Sequence, residues 1–519
     1  MDLASVVALG GIIIAAMSVE LNDAVTSALL PEISGGLGFG HDPGTWFSSL
    51  YASAEVVGMA VSPWFLVTIT LRRWSLCIVA LSCMSTILIP TTSNLSLLYG
   101  LRVLQGLSEG LTIPLLMTTA LRVLSPSIRL YGLAAYSLSA SFFPALATAL
   151  AALWVGSGDS ALGWQFAFYQ TIPISALAAV MIWWGMPQDA PQYSRIRTFN
   201  WSGALLVVLA FGSLSTMMLQ GDRLDWFNSN TIVVLGCLSA VGLPLLLVNE
   251  WFAEAPFLKL QLLARRNIAF GLIGLFTFVM VGGVGSTIPL QYLGEVRAFL
   301  PEQSYSVTAL LAATQLVFLP LMALLLNEEW IDARWINLTG LGFVLAGAVG
   351  DSLLSDVWDD SQFYLWQVLI SLGEAMVVMS LLMLATNAVK PPEAAFASSL
   401  INTPRALGDV AATWLVELVA RWRGALHSSR LTDQAGQQRF TVLDGATALP
   451  NVPVPFNPAG MPRAPGSLAG FAQTVGRQAD ILTLSDTFLV MAAIIAALMV
   501  VVIILPVRSL PPRIALARH

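Results

Sequence analysis

Apolar runs of about 20 residues, parted by short polar breaks, recur along almost the whole chain. A segment crossing the hydrocarbon core of a bilayer needs about that length and must satisfy its own backbone hydrogen bonds, so each run predicts a transmembrane helix. The runs lie at 4–30, 44–70, 74–91, 96–122, 130–155, 164–186, 200–219, 229–250, 269–293, 305–327, 336–355, 363–386, 396–422 and 482–505. By the length criterion that is about fourteen spans, and an even number places both termini on one side. The expected fold class is an all-α polytopic membrane protein. Asp2 leads directly into the run Leu3 to Met17, without a basic n-region or a small-residue cleavage site, which predicts a first span and not a removed signal.

Basic residues in the short breaks fix the expected orientation, because Lys and Arg near helix ends resist translocation. One set of loops and the C-terminal tail carries Arg72, Arg73, Arg122, Arg129, Arg195, Arg197, Lys259, Arg265, Arg266, Arg334, Lys390, Arg508, Arg513 and Arg518, whereas the opposite short loops carry Arg223 and Arg297. Both termini are thus expected in the cytoplasm. Spans over 1–190 and 265–506 form two expected six-helix bundles around an additional helix pair at 200–250, with 188–199 as the cytoplasmic connection and 507–519 as a cytoplasmic tail. Segment 423–480 then lies outside as a long loop, whose charge has little say in topology. Prolines and glycines between Asn451 and Gly466 argue against a long helix there. A cap over the external mouth, a docking surface and a tolerated insertion all stay open for it.

Composition narrows the function. The chain is 56% hydrophobic and 10% charged, as expected of one solvated largely by lipid, and a net charge of -6 gives no reason to expect a nucleic-acid partner. Cys77, Cys83 and Cys237 sit inside apolar runs without metal-ligand spacing, which predicts small core residues and neither metal nor disulfide. His41, His427 and His519 fall outside the spans, and nothing resembles a nucleophile with its base, so an enzyme is disfavoured and no cofactor is expected.

The informative residues are charges inside spans, since a charge near the bilayer centre costs about 2.5–3.5 kcal/mol on insertion scales and tends to face a cavity or a partner. They are Glu20, Asp23, Glu55, Arg102, Glu109, Glu374, Arg405, Asp409 and Glu417, with acids in excess. Arg102, Gln105 and Glu109 are spaced i, i+3, i+7, and Asn402, Arg405 and Asp409 form a similar stripe, so each set shares one helix face directed to the bundle interior. Arg405 and Asp409, one turn apart, are expected to neutralise each other. Glu20, Asp23 and Ser27 share a face with no base on their helix, where desolvation and mutual repulsion would both favour a bound proton. Solvation of the two acids near the outer headgroups is the plainer alternative.

Several stretches carry a family resemblance: Leu21-Asn-Asp-Ala-Val-Thr-Ser-Ala-Leu-Leu-Pro31, Gly44-Thr-Trp46, Arg102-Val-Leu-Gln-Gly-Leu-Ser-Glu-Gly110, Trp164-Gln-Phe-Ala-Phe168 with Ile172-Pro173, Leu224-Asp-Trp-Phe-Asn-Ser229, and Ala397-Ser-Ser-Leu-Ile-Asn402 with Arg405. In this order and spacing the chain resembles, almost end to end, the fourteen-helix drug:proton antiporters of the major facilitator superfamily, the EmrB-like proteins. The resemblance implies the major facilitator fold and proton-driven export of a hydrophobic or amphipathic small molecule, with a periplasmic adaptor and an outer-membrane channel as partners. It assigns proton coupling to Arg102, with Gln105 and Gly106 as matching neighbours, and a polar pair to Asn402 and Arg405. The family's first-span aspartate falls on Asn22, and Asp23 inherits its role only if the helix is locally displaced, because one residue turns a side chain by about 100°. Two motifs depart: Pro63 to Thr70 replaces the usual Gly, acid and basic cluster, leaving Arg72 and Arg73, and the Gly-Pro-rich fifth-span motif has become Ser137 to Ala147, where Pro144 remains. Proton coupling is expected of Asp23, Glu20, Arg102 and Glu109, and cavity lining of Glu55, Gln105, Gln291, Glu374, Asn402, Arg405 and Asp409. Export of an endogenous metabolite such as a siderophore, and a sensor or scaffold that transports nothing, are the alternatives.

Overall fold

The computed structural model describes residues 3–124, 128–140, 142–156, 163–188, 190–437 and 465–515, and among these every regular element is helical. The first part of the chain forms α1 (Leu3–Ala28), α2 (Leu30–Leu37), α3 (His41–Thr68), α4 (Leu71–Leu88), α5 (Leu95–Val123), α6 (Arg129–Ala140), α7 (Phe142–Gly156), α8 (Phe166–Tyr169) and α9 (Thr171–Gly185). α10 (Trp201–Val207) continues through a π-helical turn at Val208–Gly212 into α11 (Ser213–Gly221), which hairpins into α12 (Asn230–Phe252). The last part comprises α13 (Arg266–Met280), α14 (Thr287–Gln291), α15 (Pro301–Leu325), α16 (Ala333–Asp351), α17 (Asp360–Thr386), α18 (Ala394–Gln437) and α19 (Pro465–Ile504). Among the described residues, 10 helical segments are long and apolar enough to cross a membrane. The other expected spans coincide with the shorter apolar α9, with α16, and with α5 and α18, which carry intramembrane charges.

Short polar side chains set several helix starts. The Asn94 side-chain Oδ1 accepts from the Ser96 and Leu97 N–H groups at 3.0 and 3.3 Å, and Asp359 with Gln362 makes a reciprocal cap on α17. Glycine then lets helices touch backbone to backbone, which apolar solvent alone would not enforce. A Cβ on Gly106 would lie 2.2 Å from the Tyr51 carbonyl oxygen, and one on Gly110 2.0 Å from that of Glu55, so α3 and α5 are in direct contact. Gly340 and Gly373 bring α16 and α17 equally close, since a Cβ on Gly373 would be 2.6 Å from the Gly340 oxygen.

α1, α3, α4, α5, α7 and α9 pack on one another, as do α13 and α15 to α19. Between these groups, hydrogen bonds cluster in the halves of α3 and α5 that lead to the arginine-rich loops. There Ser399 donates to the Met59 carbonyl at 2.6 Å and Ser398 to the Pro114 carbonyl at 2.9 Å. The hairpin α10–α12 leans on both groups near the opposite, arginine-poor end. Gln220 donates to Ser49 of α3 at 2.6 Å, and Arg421 of α18 pairs with Asp222 at 3.2 Å.

Three expectations change. The stretch expected as an external loop at 423–480 is helical at both ends, because proline-free sequence carries α18 on to Gln437 and Pro465, which suits a first helical turn, opens α19. The proline-rich portion at 451–464 lies outside the described residues. Cys77 and Cys237 are exposed and Cys83 half-buried, so they are not core residues; in a lipid-solvated chain an apolar run has no need to face inward. The expected span at 269–293 is interrupted at Val281–Ser286, where Gly282, Gly283 and Gly285 loosen it into a 3-10 turn between α13 and α14.

Candidate functional site

Most of the intramembrane charges converge from four helices, α1, α3, α5 and α18. Arg102 on α5 is fully buried, because α3 roofs it: its guanidinium carbon stands 4.6 Å from the Phe47 ring centroid and 4.1 Å from that of Tyr51. Its Nε donates to the Phe47 carbonyl at 3.3 Å and Nη1 to Gln105 Oε1 at 2.8 Å. Gln105 in turn donates to Thr86 of α4 at 3.2 Å. Nη2 reaches Asp23 of α1 at 3.4 Å, and 37% of that aspartate side chain remains exposed.

Glu20 lies three residues before Asp23 on the same face of α1 and pairs with Arg405 of α18 at 2.9 Å, with 14% and 6% of the side chains exposed. This ion pair joins the two helix groups. α1 itself carries no base, as its sequence shows; the bases come from other helices, which spacing along one helix cannot reveal. The expected Arg405–Asp409 pair is corrected. Among the described residues no ion pair joins them; Arg405 turns across the interface to Glu20, and Asp409 is exposed. Asn402, one turn before Arg405, is fully buried, accepts from the Tyr136 hydroxyl at 2.5 Å and donates to the Ser398 carbonyl at 2.7 Å.

Asn22 and Asp23 part company. Asn22 is buried and donates to Thr171 of α9 at 3.3 Å, whereas Asp23 faces Arg102. The aspartate beside the family position is therefore the one on the charged face. Glu55 of α3 is half-buried, and Glu109 is buried with no described hydrogen-bond partner for Oε2. Glu20, Asp23 and Asp409 all act electrostatically on both. The cluster thus holds the carboxylates of Glu20, Asp23, Glu55, Glu109 and Asp409 with the guanidiniums of Arg102 and Arg405.

Two expected cavity residues lie apart. Gln291 donates to Glu295 one turn on, at 3.2 Å to either oxygen. Glu374 of α17 is buried and accepts from Gln315 of α15 at 3.1 Å. Sequence reading missed Gln315, Tyr136 and the Phe47–Tyr51 seat. Gln315 is a lone amide in an apolar run and was legible had amides been weighed with charges; the aromatic seat depends on how α3 meets α5 and leaves no linear signal. Among the described residues no group of His, Cys, Asp and Glu is arranged to hold a metal ion.

The sequence profile of the Major Facilitator Superfamily matches residues 12–413. Relatives include the probable multidrug resistance protein EmrY of Escherichia coli, 26% identical over 79% of each chain. Multidrug export protein EmrB of Escherichia coli is 23% identical over 82% of this chain and 83% of the relative. Fatty acid resistance protein FarB of Neisseria gonorrhoeae is 25% identical over 83% of each. Among solved structures, the human organic anion transporter MFSD10 superposes with a TM-score of 0.56 at 14% identity, covering 95% of this chain and 99% of that one. The proton:xylose symporter XylE superposes with a TM-score of 0.55 at 10% identity over 94% of each. These two likenesses concern the fold. With the profile spanning most of the helices that build the charged cluster, the chain belongs to the major facilitator superfamily and is a membrane transporter.

Proposed function

We propose that the protein exports hydrophobic or amphipathic small molecules from the cytoplasm in exchange for protons, by alternating access between two six-helix bundles, 1–190 and 265–506. The observation that carries this reading is the Glu20–Arg405 ion pair, 2.9 Å long, which ties α1 to α18 across the bundle interface. A proton on Glu20 removes the charge that holds Arg405 and so weakens this closed arrangement. Asp23 stands beside it against Arg102, with 37% of its side chain exposed, and offers a second proton acceptor. The multidrug export and resistance proteins among the relatives support the substrate class and direction of transport. On this reading the chain sits in a bacterial inner membrane with both termini in the cytoplasm and works with a periplasmic adaptor and an outer-membrane channel. The helical ends 423–437 and 465–480 are the surface such an adaptor would meet.

The test uses purified protein in vesicles with an imposed pH gradient and a panel of fluorescent amphiphiles. Wild type is expected to move dye against proton flow. Glu20→Gln and Asp23→Asn should each uncouple dye movement from the gradient while leaving dye binding in place, and Arg102→Ala should insert and stop pumping. Full gradient-driven transport by the double amide variant would refute the assignment.

A further inference from the structure

We propose that Glu374 and Gln315 form a subsite in the second bundle that recognises a positively charged or amine-bearing group on the transported molecule. The proposal rests on the export reading above and adds the substrate chemistry to it.

Three elements meet at this point. Gln315 of α15 donates Nε2 to Glu374 Oε2 at 3.1 Å and to the Ser371 carbonyl at 3.2 Å. Thr314 and Ser371 share a hydrogen bond of 2.6 Å between their hydroxyls. On the third side lies the break between α13 and α14, where a Cβ on Gly285 would stand 3.2 Å from Glu374 Oε1 and 3.1 Å from Ile370 Cγ2. The missing side chain leaves Oε1 its place. Leu311, which also borders Gly285, packs with Ala312 against Ala145 of α7, so the subsite adjoins the bundle interface.

What is left over at the subsite has one sign. The Gln315 amide hydrogens are engaged, while Gln315 Oε1 is fully buried with no described partner. Glu374 Oε1 accepts from no described residue, and no described Arg, Lys or His forms an ion pair with this carboxylate. Each of the two residues thus keeps one acceptor without a described donor, and a buried acceptor is stabilised by a partner that brings N–H groups or positive charge. A protonated amine supplies both. An anion would meet only acceptors.

The glycines of the break permit a test that separates contact from flexibility. A Cβ on Gly283 would meet nothing nearer than Thr287 Cβ at 3.6 Å, and one on Gly282 would meet nothing within 4 Å. None of the three has a positive φ, so alanine is conformationally admissible at each. Purified variants in vesicles are assayed with the permanent cation ethidium and the neutral dye Nile red. Glu374→Gln is expected to lower kcat/KM for ethidium about tenfold or more and to leave Nile red unchanged. Gly285→Ala should lower it several-fold, while Gly282→Ala and Gly283→Ala behave as wild type. Equal loss of both dyes in Glu374→Gln and Gly285→Ala would assign the pair to packing and overturn the proposal. Unchanged ethidium transport by Glu374→Gln, with Nile red intact, would overturn the proposal alone. If wild type moves neither dye, the export reading fails and this proposal with it.

Discussion

Replacing Glu20 by glutamine removes the charge from the interbundle ion pair and keeps a hydrogen-bond acceptor in nearly the same place. The pair is 2.9 Å long and both side chains are mostly buried, so solvent screens it little. A hydrogen bond to a charged group contributes about 1.5–3 kcal/mol, against about 1 kcal/mol for a neutral one, so the substitution should cost about 0.5–2 kcal/mol. Since about 1.4 kcal/mol is tenfold in an equilibrium, the state closed at the arginine-rich end loses roughly a factor of ten against its alternative. Thiol labelling reads this directly in a background where Cys77, Cys83 and Cys237 are serine. Ser398 is fully buried in the closed interface, whereas Thr413, further along the Asn402–Arg405–Asp409 stripe, is exposed. With Ser398→Cys, the rate toward an impermeant maleimide should rise about tenfold in the Glu20→Gln background, because the rate follows the minor open population. With Thr413→Cys it should fall only slightly, since the major population shrinks by a small fraction. Acidification of the single Ser398→Cys protein should mimic the amide. Equal labelling rates at Ser398 with and without Glu20, at any pH, would refute the idea that this pair holds the bundles together.

Two further expectations follow from packing and from a surface pair. Gly110→Ala places a Cβ 2.0 Å from the Glu55 carbonyl, which forces α3 and α5 apart, whereas Gly100 on the same helix has nothing within 4 Å. Overpacking costs about 1–3 kcal/mol, so the melting temperature should drop for Gly110→Ala and hold for Gly100→Ala; equal melting would sink the close-contact argument. At the arginine-rich end, the Arg265 guanidinium beside Glu393 holds its carboxyl below the usual carboxylate range. A depressed folded-state value means stability that is present above the unfolded value of about 4.3 and is lost as pH falls through the folded one. The melting temperature of wild type should therefore exceed that of Glu393→Gln at neutral pH and converge on it below about pH 4. A gap independent of pH would contradict this.

The helices were legible because lipid imposes one simple demand, length without charge, and the apolar runs state it openly. Charge stripes were legible for the same reason in reverse: Arg102, Gln105 and Glu109 stand out against an apolar helix and do share a buried face. Partnership was not legible. Arg405 has an acid one turn away on its own helix, and only the packing of α1 against α18 shows that Glu20 takes its place. The same applies to Asp23, whose face depends on how α1 turns against α5. The helical ends of segment 423–480 escaped notice because prolines and glycines between 451 and 466 dominated its composition, although residues 423–437 and 466–480 carry no proline.

The imbalance between acids and bases gives the proposed antiport a physical logic. Glu20, Asp23, Glu55, Glu109 and Asp409 act on one another around Arg102 and Arg405, so the cluster holds more carboxyl groups than the two guanidiniums can neutralise. Full ionisation would leave uncompensated charge on buried Glu109 and half-buried Glu55, which is costly unless something positive joins them. Protons can do so, and a cationic substrate can do part of the same work as it passes the cluster on its way to or from Glu374, which lies apart on α17. Each then disfavours the other, since a charge already balanced gains less from a second cation. Exclusion of this kind, and not a shared binding pocket, would suffice to couple opposite movements of proton and substrate. It predicts that raising the ethidium concentration releases protons from detergent-solubilised wild type, and that Nile red, which brings no charge, releases none. Proton release of equal size with both dyes would show that coupling runs through conformational change and not through charge balance.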